Sequence, residues 1–541
     1  MREIKLLDCT LRDGGYINDW EFGHNNLVSV FERLVSANVE MIEIGFLNEH
    51  RMFDMNRSIM PDTDCVEKIY GGLDRKNTMV IGMIDYGTCG IEHIKPCKES
   101  FLDGIRVIFK KDKRKAAIDF CHQLKELGYM VCVQLVSITS YNDEELMDLI
   151  HMANELNPYA VSMVDTYGLL QQDNLMHYYE LLEKYLDKNI GIGYHSHNNF
   201  QMAYANCVKL LSQDSERLLL LDASIYGMGK SAGNCPIELI ALYLKNHFHK
   251  EYHISQMLEA MDANIMNIYR AKPWGYSMFF YIAASNNCHP NYVSYLMDKR
   301  TLSVKQMNEI LAQLKEYGDK QLLYDKDLIE QLYMEYQKQI EIDDEKDLKA
   351  LSEQLSGKKI LILGPGQTIQ KQADKIQVYI EKKQPVVIAI NYIPEEFASD
   401  YIFLSNSKRY VQVATALSRR DERLKIIATS NVTCTDDRSF DYTLNIRQLL
   451  DEEAEIIDNS FVMLLKVLKK LEITDVALGG LDGYYANDQN RNYIDAKMEY
   501  TFDDGKADRL NQYVRKVLSG YKDDMDIQFI TDSRYKDEKT V

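Results

Sequence analysis

The chain is 541 residues long with 46% hydrophobic and 27% charged residues. That composition excludes a disordered polymer, and the length excludes one ordinary domain, because single cores stop growing near ~250–300 residues. Its 63 Lys and Arg against 82 Asp and Glu leave a formal charge of −19, which excludes nucleic acid and anionic membrane surfaces as partners held by bulk electrostatics.

Ten scattered cysteines with no C-x-x-C pair read as reduced thiols. The start, MREIKLLDCTLRDGG, lacks the apolar run of a signal peptide, and no uncharged stretch of 18 apolar residues occurs. A soluble, cytoplasmic protein is expected, without nucleic-acid or membrane partners, and a homo-oligomer.

Eight β-rich runs are predicted in the first half: 3–10, 39–46, 79–85, 104–109, 129–138, 160–168, 190–197 and 218–229. Between most of them apolar residues recur at helical spacing, as in RKAAIDFCHQLKELG and DEELMDLIHMANEL. Eight β-α units over about 250 residues match a TIM barrel, with a doubly wound open sheet as the alternative. The link between the second and third runs is long and irregular. Residues 1–250 are thus the expected barrel.

From 251 to 350 helical patterns replace strands, giving a helical extension and linker, with the acidic run IEIDDEKD (340–347) as the linker candidate or a solvated helix end. Residues 351–541 resume alternation: KKILILGPGQTI, PVVIAINYI, DYIFLSN, LKIIATSN and later TDVALGGLDGY read as strands. A Rossmann-like open α/β domain is expected there.

Barrel chemistry sits at the carboxyl ends of strands, and polar residues gather there. The first run ends in Asp8-Cys9-Thr10-Leu11-Arg12-Asp13-Gly14-Gly15-Tyr16, the second contains Glu43, the seventh ends in His195-Ser196-His197, and the eighth runs into Gly227-Met228-Gly229-Lys230-Ser231-Ala232-Gly233-Asn234. On a strand, residues i and i+2 share a face, so His195 and His197 can meet one metal ion. Two imidazoles and a carboxylate with open positions suit a catalytic divalent ion; a partly buried polar strand end is the bland alternative.

LLDCTLRDGG, Ile42-Glu43-Ile44-Gly45-Phe46, Asp165-Thr166-Tyr167-Gly168, the H-x-H and the glycine-rich segment ending at Asn234 resemble, in order, the HMG-CoA lyase-like (DRE-TIM) metallolyases. Among them the style is that of the 4-hydroxy-2-oxovalerate aldolases. The resemblance covers residues 1 to about 250 and implies a TIM barrel. It implies that Asp13, His195 and His197 bind the metal (Mn2+ or Mg2+ foremost, Co2+ or Zn2+ otherwise), that Asn234 completes the coordination, and that Glu43 orients the catalytic Arg12. Asp8 is then structural, its carboxylate accepting backbone N–H bonds.

The implied activity is a metal-dependent aldolase or carbon–carbon lyase, working through a pyruvate-type enolate of a 2-oxo acid with an aldehyde or sugar-like carbonyl partner. Arg106 and Gln134 are candidate substrate contacts or packed barrel interior. The family's proton carrier is replaced here by Gly15-Tyr16, so Tyr16, Tyr276 of Trp274-Gly275-Tyr276, and His289 are the candidates, with aromatic packing as the alternative for the latter two. A Claisen-type acyltransferase resembling isopropylmalate synthase is the competing reaction, and a catalytically inactive barrel serving as a binding module is the competing class. In the C-terminal domain Gly364-Pro365-Gly366-Gln367-Thr368 follows a strand and opens a helix, so Gly364, Gly366 and Thr368 are candidate contacts for a nucleotide, sugar nucleotide or phosphosugar. The third glycine of G-x-G-x-x-G and a Walker lysine are missing, so a tight ligand-free turn is the alternative.

Overall fold

Strand β1 (Ile4–Asp8) closes the first sheet on itself, pairing in parallel with β2 (Met41–Leu47) on one side and β9 (Leu219–Ala223) on the other. The remaining staves are β4 (Met79–Asp85), β5 (Gly104–Phe109), β6 (Met130–Leu135), β7 (Ala160–Asp165) and β8 (Gly191–Ser196). Their order, β1-β9-β8-β7-β6-β5-β4-β2 with β1 returning to β2, makes an eight-stranded parallel barrel. Closure decides for the TIM barrel and against the open sheet. Strands such as β6 (MVCVQL) are apolar on four successive residues, Met130 to Val133, because both faces are covered, by helices outside and by side chains inside. Leu7, Cys9, Met41, Ile81, Cys132, Ala160 and Leu220 form an apolar cluster of their own, separate from the core that includes the helices.

The computed structural model describes residues 2–299, 302–339, 342–419, 423–432, 440–452, 454–486 and 504–536. Cys434 lies outside them; the nine described cysteines are free. Two compact units result, Met1–Pro290 and Asn291–Val541.

Local chemistry sets the boundaries of the barrel's elements. Asn142 caps the helix Asp143–Leu156 by accepting from the Glu145 N–H, and Glu145 answers through the Asn142 N–H. Gly128, at φ +90, turns the chain from the helix Arg114–Glu126 into β6. The irregular link after β2 carries a two-residue strand, β3 (Ile59–Met60), that pairs with Phe46 and Leu47. Gly45 permits this: at φ +145 it shifts the β2 register, and a Cβ there would overlap the Ser58 carbonyl.

Helices follow the barrel, including Ile254–Ala260, Met266–Ala271 and Met278–Ser285 in the first unit and Val304–Ala312, Lys326–Gln339 and Glu345–Leu355 in the second. The acidic run enters the last of these, and Asp344 and Asp347 accept from the N–H groups of Asn445 and Thr443. No described helix is long and apolar enough to cross a membrane.

The second unit holds an open parallel sheet of β10 (Ile360–Leu363), β11 (Val386–Ile390), β12 (Tyr401–Leu404), β13 (Lys425–Thr429), β14 (Tyr442–Leu444), β15 (Asp475–Gly479) and β16 (Asp526–Phe529). Their order, β14-β13-β12-β11-β10-β15-β16, reverses direction between β10 and β15. Edge strands β14 and β16 are the two that the reading from sequence does not contain.

Candidate metal centre at the barrel rim

Beyond β1 the chain turns at once into a single helical turn, Thr10–Asp13, which carries Arg12 and Asp13 over the barrel mouth. Asp8 anchors that turn by accepting from the Thr10 N–H at 2.9 Å and its hydroxyl at 2.7 Å. Burial pushes the Asp8 carboxyl up to about 7, against the pull of those bonds.

Asp13, His195 and His197 converge, their ligand atoms all within 4.8 Å of one another and all three residues buried. His195 Nε2 lies 3.8 Å from Asp13 Oδ1, and His197 Nδ1 lies 3.9 Å from Asp13 Oδ2. His195 is the penultimate residue of β8 and His197 lies just beyond the strand, with ring planes at 90° and centroids 5.1 Å apart. Asn234 donates its amide to Asp13 Oδ2 at 2.9 Å. A Cβ at Gly229 would collide with both members of that pair, which explains the glycine.

Electrostatics prepares these groups as ligands. Burial alone would raise the Asp13 carboxyl, but the Arg12 charge overrides it and, with the two histidines, holds it well below the usual carboxylate range. Burial pushes His197 down to about 3, against Asp13, so its imidazole is neutral at physiological pH. His197 Nδ1 and Asn234 Oδ1 are buried and have no hydrogen-bond partner among the described residues. Unmet buried acceptors of this kind are costly unless something fills their lone pairs. One carboxylate, two imidazoles and an amide oxygen fit a divalent cation.

Behind the ligands runs a buried charge network. Arg12 donates through Nε to Glu43 Oε2 at 2.7 Å and through a terminal nitrogen to Asp13 Oδ1 at 2.5 Å. Arg106 and Gln134, both 0% exposed, bond to one another at 2.7 Å inside the barrel; Arg106 also meets Glu43 at 3.3 Å and Asp222 at 2.5 Å, and Gln134 donates to Ser162. Their polar ends therefore face other side chains.

Asp222, absent from the sequence reading, is the main addition. It stands on β9 and accepts from His195 Nδ1 at 2.9 Å. Its signal was a single charge within the apolar run LLLLDASIYG. Lys230 is the other addition, its backbone N–H bonded to Asp13 Oδ2 at 3.0 Å.

The proton-carrier candidates are spread out. Tyr16 is 42% exposed at the rim, edge-on to Trp20 at 4.9 Å, and burial pushes its hydroxyl up to about 12. Tyr276 lies on the surface, 60% exposed, while Trp274 beside it is buried and donates to the Tyr226 carbonyl. His289 packs edge-on to Tyr167 at 5.7 Å, and burial lowers its imidazole to about 4 with the Lys230 charge adding to the effect.

In the second unit, Gly364 and Gly366 face the loop after β15: added Cβ atoms would strike Leu481 and the Gly480 carbonyl in one case and Asp482 in the other. Thr368 donates through its N–H and its hydroxyl to Asp482. That carboxylate thus occupies the Thr368 N–H and hydroxyl, two donors a phosphate at this turn would use.

The HMGL-like family model matches residues 3–263. The barrel is an HMGL-like domain. Oxaloacetate decarboxylase of Mycobacterium tuberculosis is 24% identical over 288 residues, covering 52% of this chain and 83% of that protein. The 4-hydroxy-2-oxovalerate aldolase of Pseudoalteromonas translucida is 22% identical over 272 residues, 49% of this chain and 78% of its own. An HMG-CoA lyase structure from Bacillus subtilis aligns with a TM-score of 0.40 and 18% identity, over 50% of this chain and 95% of that one. Each of these covers about half of this chain. With the Asp13–His195–His197 cluster, the HMGL-like domain supports a divalent-metal-dependent reaction that makes or breaks a carbon–carbon bond.

Proposed function

We propose that the HMGL-like domain is an aldolase, joining or releasing a pyruvate-type 2-oxo acid and an aldehyde or sugar-like partner through an enolate. The observation that carries this is Arg12, held between Asp13 and Glu43 beside the Asp13–His195–His197 cluster. A divalent ion, Mn2+ or Mg2+ foremost, held by those three residues with Asn234 would supply a Lewis acid for the keto oxygen. Arg12 places a fixed positive charge where enolate charge develops, already oriented by two carboxylates and needing no reorganisation. Tyr16, with its hydroxyl pushed up to about 12, keeps its proton at neutral pH and in this proposal offers it as a hydrogen bond to developing charge rather than taking or transferring a proton. His289, neutral at pH 7, takes the accepting role in this proposal.

The test is exchange of pyruvate methyl protons with deuterated water, followed by NMR on manganese-loaded protein. Exchange in the wild type and its loss in Asp13→Ala and His195→Ala are expected. No exchange with any 2-oxo acid would sink the proposal. The likeness to oxaloacetate decarboxylase supports a second reading, in which the enolate arises by loss of CO2 instead of by proton removal. Release of CO2 from oxaloacetate distinguishes it. A nucleotide or phosphosugar in the second unit would have to displace Asp482 from Thr368 or bind elsewhere along the sheet's carboxyl edge.

A further inference from the structure

Around the mouth of the HMGL-like domain several arginines are matched. Arg12 is bonded to Glu43 and Asp13, Arg51 to Asp19, and Arg57 to Asp19 and Glu21. Lys230 differs. Its backbone is fixed by the bond from its N–H to Asp13 Oδ2, yet its Nζ makes no ion pair or hydrogen bond among the described residues and stands 5.3 Å from the Tyr16 ring centroid. Asp13 and Asp85 attract this half-buried ammonium only from beyond ion-pair distance, and the cost of its burial outweighs that attraction.

Its depth matters too. Arg12, Asp13, His195 and His197 are all 5% exposed or less, whereas Lys230 is only partly buried and its neighbour Tyr16 is 42% exposed. The unpaired cation therefore lies outward of the cluster. A 2-oxo acid engaged by the cluster and Arg12 has its own carboxylate at that inner level, so the charge facing Lys230 comes from the far end of whatever binds beyond it.

We propose that Lys230 is a specificity residue that receives an anionic group, carboxylate or phosphate, on the carbonyl partner of the reaction. This rests on the proposed aldol chemistry for the word "partner", but the anion site itself is tested separately. Manganese-loaded protein is saturated with oxalate, a planar stand-in for the 2-oxo acid, and titrated by calorimetry with succinate semialdehyde and with uncharged pentanal. A parallel series uses glyceraldehyde 3-phosphate and glyceraldehyde, which separates phosphate from carboxylate.

At least one anionic aldehyde is expected to bind about tenfold more tightly than its neutral counterpart. That advantage should vanish in Lys230→Met and Lys230→Gln and return in Lys230→Arg, with thermal unfolding confirming that each variant folds. Equal binding of charged and neutral aldehydes by the wild type, or an advantage that survives both truncations, would overturn the proposal. If pyruvate exchange is absent while anion binding still depends on Lys230, the aldol reading falls and the anion site stands.

Discussion

His195 Nδ1 and Asp222 Oδ2 are 2.9 Å apart in the interior of the barrel, and the same carboxylate oxygen accepts from Arg106 at 2.5 Å. A carboxylate can only accept, so His195 carries its proton on Nδ1 and presents the Nε2 lone pair toward Asp13 and the candidate ion site. One buried carboxylate thus sets the tautomer of a ligand and neutralises an interior arginine.

Asp222→Asn keeps the shape but offers an amide N–H that can bond to Nδ1 and turn the imidazole to the wrong tautomer. Metal affinity, measured by competition with a chromogenic chelator, should fall by roughly 10- to 100-fold, the usual size for loss of such a partner. An unchanged affinity would show that Asp222 serves the barrel interior alone.

Gly229→Ala should damage the same centre from outside. Its Cβ meets the Asp13 carboxylate and the Asn234 amide, so the pair must separate or the loop must shift. A loss of about 1–3 kcal/mol in urea unfolding is expected from such overpacking, together with weaker manganese binding. Alanine at Gly72, where a Cβ meets nothing within 4 Å, is the control and should change neither.

The stability of the first unit should carry an unusual pH slope. Asp165 accepts from the N–H groups of Leu169 and Leu170, but burial dominates and pushes its carboxyl up to about 7 from an ordinary 3.8. Between about pH 4 and 7 the folded state keeps a proton that the unfolded chain has lost. Stability from this group is therefore present below pH 4 and lost as pH rises through 7, by up to about 4 kcal/mol. Asp8, pushed to about 7 as well, adds a parallel slope. Asp165→Asn should flatten the difference between urea midpoints at pH 5 and pH 8 by roughly half; equal differences in variant and wild type would contradict this.

In the second unit Asp482→Ala removes the acceptor for the Thr368 N–H and hydroxyl. A loss of roughly 1–2 kcal/mol is expected from an unmet cap, read by chemical unfolding of the full chain. Asp482→Asn, which can still accept, should lose less.

Sequence alone determined the barrel staves, because runs such as GIRVIF and MVCVQL are apolar at all but one side-chain-bearing position, a signal independent of partners. It also determined that His195 and His197 share a strand face, since a period of two is a property of one strand. It did not contain β3, β14 or β16, which are two to four residues long and exist only because a neighbour supplies hydrogen bonds. The tertiary structure alone decided what Arg106, Gln134, Glu43 and Asp222 do. They come from β5, β6, β2 and β9, far apart in the chain, and a buried charge takes its role from the countercharge that barrel closure brings beside it.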